Sequence, residues 1–344
     1  MDNPFELTFG LKPNNYISRL KQSEEIISNF KSSTGNKAFL ITGVRGTGKT
    51  VMLSHISKKF ENENNWIVIE LIPNYDMLEQ FASALYDSSI MNKIFNNKTF
   101  GFSFSGVSFS ISGEKPITNV ISLIEVLLDK IRKNKKNVLI AVDEVSNNDF
   151  VKTFTQAFQL LIRKEYPIHL LMTGLYQNIY DLQNNKDLTF LYRAPKINLE
   201  PLNLAAITNS YQELLKIDKD DALKLAKVTK GYAYAYQVLG HLVFENKNPK
   251  IDKNLYAKFD QYLEEYVYKK MYSKLSSNDK KILKSFTSDD INSVDELLIK
   301  SEMKKNVFSV YRDRLIKRGI IESPEYGKLV LKLPRFYEFL ERQI

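Results

Sequence analysis

No cysteine occurs anywhere in the 344 residues. That absence excludes disulfides, thiol nucleophiles and thiolate metal sites, and it agrees with a reducing compartment. Histidine is nearly as scarce. His55, His169 and His241 are scattered, each inside an apolar stretch, so a histidine metal centre is not expected and each reads as a packed or capping residue. No apolar run approaches the roughly 18 residues that a membrane span requires. The opening MDNPFELTFG carries acid where a secretory signal would carry basic and then apolar residues, so the expectation is a cytoplasmic protein with no membrane association. With 43% hydrophobic and 26% charged residues the chain can bury a sizeable core, and its length suits two or three domains. A formal net charge of +9 is compatible with a polyanion partner and equally with a lysine-rich background, so charge alone assigns no ligand.

Residues Gly43 to Thr50 read GVRGTGKT and fill the pattern G-x-x-x-x-G-K-[ST]. The glycines let the backbone turn without a Cβ clash, so successive N–H groups point at phosphate oxygens; Lys49 reaches the β and γ phosphates and Thr50 offers a hydroxyl to Mg2+. The flanks fit. Ala38 to Thr42 (AFLIT) reads as a buried strand, and Val51 to Phe60 as a helix whose N-terminus faces the anion. Contacts to ATP are therefore expected from Gly43, Val44, Arg45, Gly46, Thr47, Gly48, Lys49, Thr50 and Val51. A second motif, NVLIAVDE at Asn137 to Glu144, is an apolar run ending in adjacent carboxylates. In parallel α/β sheets ligands gather at the carboxyl ends of the strands, so Asp143 is expected to join Thr50 in holding Mg2+ and Glu144 to polarise the attacking water.

Further strands are expected at Trp66 to Leu71, Ile168 to Thr173 and Ala194 to Leu199, with helices at Met77 to Met91, Ile117 to Lys133 and Phe150 to Glu165 between them. Such alternation argues for a parallel sheet with helices on both faces. One segment breaks it. Phe100 to Gly113 has period-two apolar residues around a Ser105-Gly106 turn, a hairpin whose aromatic face either covers the core edge or binds a partner. From Asn203 the strand signal gives way to helical periodicity at Leu204 to Leu215, Asp220 to Thr229, Tyr232 to Phe244 and Leu255 to Met271. Three short helices then follow at Asp279 to Phe286, Val294 to Ile299 and Val307 to Arg318. A hairpin through Ile320 to Glu322 and Leu329 to Leu333 closes them, which describes a winged helix.

Taken in this order, the parts resemble the AAA+ and related STAND ATPases, most closely the archaeal-type group and the origin-recognition ATPases with a C-terminal winged helix. The resemblance implies an α/β P-loop NTPase fold, an αβα sandwich, over residues 1–201 with the hairpin insert at 99–113. A small all-α lid domain at 202–273 and a winged-helix domain at 274–344 would follow. It implies a strand inserted between the two phosphate-motif strands, a place that Trp66 to Leu71 would take. Thr173 falls where the family carries a polar residue sensing the γ-phosphate or the water, Arg193 where it carries an arginine finger, and Tyr16 to Glu25, with Arg19, along the adenine side. The chain departs from the pattern at the lid. Gly231 is followed by Tyr232, Ala233, Tyr234 and Ala235, with no arginine in the place of the family's second sensor, although Lys227 or Lys230 could substitute.

Two function classes follow, both built on an Mg2+-dependent ATPase whose nucleotide state sets assembly as a homo-oligomer. In one, the winged helix grips duplex DNA through Lys304, Lys305, Arg312, Arg314, Lys317 and Arg318. In the other, a STAND-like signalling or defence switch binds a protein partner, a reading that Asp295, Glu296, Glu302 and Asp313 in the same domain keep open. A small-molecule kinase fits poorly, because nothing resembles an acceptor pocket and the Asp143-Glu144 pair suits water activation.

Overall fold

The computed structural model describes residues 2–7, 15–88, 119–188 and 190–343, so the expected hairpin at 99–113 lies outside the described residues. The chain forms two compact units, one of Leu20–Thr42 and Met52–Ile197, the other of Met1–Arg19, Gly43–Val51 and Asn198–Ile344. No helix among the described residues is long and apolar enough to cross a membrane.

The first unit is built on a five-stranded sheet of β1 (Ala38–Thr42), β2 (Trp66–Leu71), β3 (Asn137–Val142), β4 (Ile168–Gly174) and β5 (Lys196–Asn198). The spatial order is β2-β3-β4-β1-β5, and β2 with β3, β3 with β4 and β4 with β1 all pair in parallel. Alternating side-chain direction splits the core between two faces. Leu40, Ile140, Leu170 and Met172 enter a cluster with the apolar stripes of α3 (Met77–Tyr86), α4 (Val120–Lys133) and α5 (Asp149–Arg163) and with Ile179 and Leu182 of α6 (Tyr176–Gln183). The intervening Phe39 and His169 instead meet Phe30 of α1 (Leu20–Lys31), with ring centroids 5.4 and 5.2 Å away. Phe60 of α2 (Lys49–Glu61) lies on that face too, 4.2 Å from the Trp66 ring. Helices thus cover both faces, as the unbroken burial of β3 and β4 requires.

Local signals place the helices. Asn119 and Asn148 cap α4 and α5, their side chains accepting from the amides of Ser122 at 2.8 Å and Val151 at 2.9 Å. Behind the caps, buried Leu123, Ile124, Leu127, Leu128 and Ile131 recur at helical spacing along α4.

The strand between the two phosphate-motif strands is β4, and Trp66 to Leu71 lies outside β3 at the sheet's edge. Element order along a chain does not dictate order across a sheet. The signal for the edge was Glu70, an exposed carboxylate inside WIVIEL, whereas β3 and β4 carry no exposed residue.

In the second unit, helices α7 (Leu204–Leu215), α8 (Lys219–Val228), α9 (Ala233–Asn246) and α10 (Lys253–Leu263) match the expected lid. A π-helical turn at Glu264–Tyr268 leads from α10 into α11 (Lys269–Ser273). Asn203, Asp218 and Asp252 cap α7, α8 and α10 through their side chains. Phe5 from the N-terminal segment packs 5.8 and 5.6 Å from the rings of Tyr211 and Tyr236. A Cβ on Gly240 would lie 2.4 Å from Phe5, so only glycine admits that ring.

Helices α12 (Ser277–Ser285), α13 (Val294–Ser301) and α14 (Lys305–Lys317) follow, with an antiparallel sheet of β6 (Asn292–Ser293), β8 (Lys328–Leu331) and β7 (Ile321–Glu322) in that spatial order. This is the winged-helix arrangement, extended by α15 (Phe336–Glu341). Asp279, fully buried, completes a capping box with Ser276 and accepts from Arg314 Nε at 3.0 Å, while Arg318 lies 3.5 Å away. A carboxylate at such depth needs these cations.

His169 is one of the buried polar residues of the first unit. It is buried between Phe30 and Trp66, and Lys37 Nζ lies 3.2 Å from Nε2. Burial, reinforced by the Lys37 charge and opposed by the Val138 backbone, pushes its imidazole down from 6.5 to about 3. Unfolded histidine takes a proton near 6.5 and the folded residue only near 3, so protons favour the unfolded chain below 6.5 and the loss levels off near pH 3. From pH 7 to pH 5 this one group should cost about 2 kcal/mol of stability. Urea titrations at the two pH values should show that loss diminished in His169→Gln, and an equal loss in both proteins would remove His169 from the account.

Candidate functional site

The octet joins β1 to α2 as the motif predicts. Gly46 and Gly48 stand at φ +79 and +90, conformations that a side chain resists. The loop's carbonyls are taken up by its own unit. Val44 O accepts from the Thr47 hydroxyl at 2.9 Å and from Lys49 Nζ at 2.9 Å; Gly43 O also accepts from Lys49 Nζ, at 3.1 Å. Arg45 O accepts from the Tyr232 hydroxyl, Gly46 O from the Tyr234 amide at 3.0 Å, and Thr47 O from Arg19 Nη2 at 2.8 Å.

These bonds orient the opposite side of the loop. A trans peptide is planar, so holding a carbonyl turns the following N–H the other way. Tyr232 on Arg45 O therefore directs the Gly46 amide, and Arg19 on Thr47 O directs the Gly48 amide. Those two N–H groups find no acceptor among the described residues. Amides held outward in this way form an anion-binding concavity, and Lys49, buried at the start of α2, adds positive charge to it.

Arg19, expected from the resemblance on the adenine side, is tied to the loop and to a second segment. Its Nε also donates to Glu200 O at 2.9 Å, so one guanidinium joins the loop to the chain after β5. Burial lowers it to about 10 with Glu200 opposing, which leaves it charged at neutral pH.

At the lid, the position without an arginine is filled by tyrosine. Burial raises the Tyr232 phenol far above its usual range, so it remains a donor to Arg45 O. Lys230 is committed elsewhere, its Nζ donating to Asp289 Oδ2 at 2.8 Å and Leu331 O at 3.1 Å. Lys227 is exposed and makes no ion pair among the described residues. Tyr232 was missed in the sequence. Its signal was a large hydroxyl-bearing side chain directly after the conformationally required Gly231, at φ +73.

At the carboxyl end of β3 the first unit gathers Asp143, Glu144 and Thr173. The Thr173 hydroxyl, fully buried, donates to Asp143 Oδ1 and accepts from the Glu144 amide at 3.2 Å. Glu144 stands at φ 51, a left-handed conformation for a non-glycine residue, and its side chain is exposed. Such strain persists only where neighbours impose it, here through the amide bond to Thr173 and the bond from the Val145 amide to Thr173 O at 2.8 Å. Arg193 is not part of this cluster. It sits exposed in the 3-10 turn Leu191–Arg193 and makes no ion pair among the described residues.

Residues 16–189 match the family described as type III restriction enzyme, res subunit, and residues 265–340 match a domain of unknown function (DUF8462). In fold the chain is similar to a Walker-type ATPase of Pyrococcus abyssi, with a TM-score of 0.63 at 13% identity over 98% of this chain and 99% of that one. It is also similar to the ORC2 protein of Aeropyrum pernix, solved as ADPNP and ADP complexes, at 0.58 and 12% over 98% of each. The Cdc6 protein of Pyrobaculum aerophilum gives 0.51 and 14% over 97% and 96%. At these identities the likeness is one of fold, and the resemblance to the origin-recognition ATPases holds in that sense along nearly the whole chain. No curated protein matches the chain.

Tyr232→Phe should release the Arg45–Gly46 peptide while leaving the ring packed. The loss is one hydrogen bond, worth about 1 kcal/mol. Hydrogen exchange should quicken at residues 43–51 with the rest of the chain unchanged; unaltered exchange there would mean that the phenol does not hold the loop.

Proposed function

The chain belongs to the type III restriction enzyme, res subunit family through residues 16–189, and from that membership we propose that it is an ATP-binding and ATP-hydrolysing switch of the AAA+/STAND kind, associated with nucleic acid through its winged helix. The observation that carries the reading is the pair of outward amides at Gly46 and Gly48, fixed from behind by Tyr232 and Arg19. ATP is the triphosphate the loop 43–51 suits, in keeping with the ADPNP and ADP complexes of the Aeropyrum protein.

Each residue then has a task. Lys49 binds the β and γ phosphates. Thr50 and Asp143 would hold Mg2+: a carboxylate and a hydroxyl are the hard oxygen donors that this ion prefers, and Mg2+ bound there offsets phosphate charge. Thr173 orients Asp143 through its hydroxyl, and Glu144, exposed at the strand end, orients and deprotonates the attacking water. Arg193, exposed and without an ion pair among the described residues, is available to a neighbouring protomer's γ-phosphate in a homo-oligomer. The divisions 1–201, 202–273 and 274–344 are proposed as nucleotide-binding, lid and winged-helix domains.

A second reading, a switch whose winged helix binds protein, rests on the cations of that domain. Arg314 and Arg318 are engaged with buried Asp279, and Arg312 with Asp313 at 2.8 Å. Of the six cations first considered for DNA, this leaves Lys304, Lys305 and Lys317 exposed. Ile299 and Val310, 76% and 66% exposed on α13 and α14, give the same domain apolar surface.

Lys49→Ala should weaken ATP binding by about 10- to 150-fold, because it deletes a charge-assisted contact worth about 1.5–3 kcal/mol. Glu144→Gln should bind ATP normally and hydrolyse it far more slowly. Calorimetry and phosphate release separate the two effects, and full turnover in Glu144→Gln would dismiss that carboxylate.

Duplex binding, followed by anisotropy across a salt series, should give a slope of log K against log salt of about −3 if three lysines neutralise three phosphates. Absence of binding at low salt, with and without ATP, would favour the protein partner.

A further inference from the structure

A parallel sheet gathers its strand starts at one edge, and in the first unit that edge lies opposite the one carrying Asp143 and Thr173. There β2, β3, β4 and β1 begin side by side, tied by bonds from Asn137 N to Asn65 O at 2.8 Å, Val138 N to Pro167 O at 2.8 Å and Leu170 N to Lys37 O at 2.9 Å. Helices α1, α2, α4 and α5 lead back to the same edge and end at Lys31, Glu61, Lys133 and Arg163.

The turns that join them are strongly basic. Lys58 and Lys59 lie in the last turn of α2, Lys130 and Lys133 in that of α4 and Arg163 in that of α5, while Lys135 and Lys136 lead into β3. Other cations of the edge are paired, Lys31 with Glu63 at 2.5 Å, Arg132 with Asp129 at 2.6 Å and Lys164 with Glu125. That leaves Glu61 and Glu165 as the exposed carboxylates of these turns without an ion pair among the described residues. A helix C-terminus attracts cations through its dipole, which accounts for a lysine or arginine in a last turn. It does not account for Lys135 and Lys136, past the end of α4.

The chemistry of the edge selects its partner. No large apolar side chain is exposed in these turns among the described residues, whereas a protein interface centres on apolar anchors and single-stranded nucleic acid on stacking rings. Lysine, arginine and the exposed amides of Asn62, Asn64 and Asn65 are what the edge presents, and these groups bind phosphate and sugar. Four strand starts span about 14 Å, a length along which duplex DNA carries about eight phosphates.

We propose that the strand-start edge of the first unit is a docking surface for duplex DNA, one that grips phosphates without reading bases. It is separate from the winged helix, to which the proposed function confines DNA. Lying at the far end of the sheet from the carboxylate cluster, it should hold duplex equally with and without ATP.

The test uses the full chain carrying Lys304→Ala, Lys305→Ala and Lys317→Ala, which silences the winged helix, and follows the anisotropy of a labelled duplex across a salt series. Duplex should still bind, with a slope of log K against log salt of about −2 to −4. Adding Lys58→Ala, Lys59→Ala, Lys133→Ala and Lys135→Ala should weaken binding about tenfold or more at low salt and flatten the slope by about one unit for each lysine that meets a phosphate. Arginine at the same four positions should restore both, which separates lost charge from lost folding. Alanine at Lys219, Lys247, Lys250 and Lys253, exposed lysines of the second unit, removes as much charge and should change affinity by less than about twofold. Equal losses from the two alanine sets, or no binding once the winged-helix lysines are gone, would overturn the edge as a DNA surface and leave the winged helix as the binder. Absence of binding by the wild-type chain at low salt would overturn both.

Discussion

A phosphate loop works only if its amides point one way, and here that direction is imposed by bonds to its carbonyls. Loop residues with positive φ have little intrinsic preference of their own, so the loop must be held from outside. The holders come from either side of the loop in sequence, Arg19 before the first helix and Tyr232 at the start of α9, and each fixes one peptide plane through one oxygen. The lid is therefore part of the loop's architecture as well as a cover. Without Tyr232 and Arg19 the Gly46 and Gly48 planes would be free to rotate, and a rotated plane presents a carbonyl to the anion in place of an amide.

The carboxylate cluster follows a parallel logic in the other unit. Glu144 is turned into a left-handed conformation because its amide and that of Val145 are both bound to Thr173, one to the hydroxyl and one to the carbonyl. Thr173 consequently sets two things together, the carboxylate of Asp143 and the backbone that projects Glu144 outward. A threonine at this strand end serves geometry first. Any contact that it makes with a reacting group would act through Asp143.

What was legible in the sequence was local. The octet, the acidic-ended strand and the helical periodicities of the lid are each written in a few consecutive residues, and β1, β3, α7 and the winged-helix segments lie where those patterns put them. What was not legible depended on residues far apart. The place of Trp66 to Leu71 at the sheet edge is decided by strand order, for which Glu70 was the single local hint. The bonds of Arg19 and Tyr232 to the loop span 28 and 187 residues, and no periodicity reports them. The six basic residues around α14 read as one surface in sequence, yet Arg314 is drawn to Asp279, 35 residues away, to neutralise a carboxylate that a capping box had already buried.

That last case bears on how the winged helix is used. Charge on a helix is available to a ligand only after the fold's own demands are met, and a fully buried carboxylate ranks first among those demands. Arg314 and Arg318 meet it, which leaves lysines as the free cations of α14 and its ends. Lysine is a point charge without the planar fork that reads paired acceptors, so what remains suits phosphates more than base edges. A domain in this condition has little means of choosing a sequence. If it meets DNA, its selectivity must come from what controls access to those lysines.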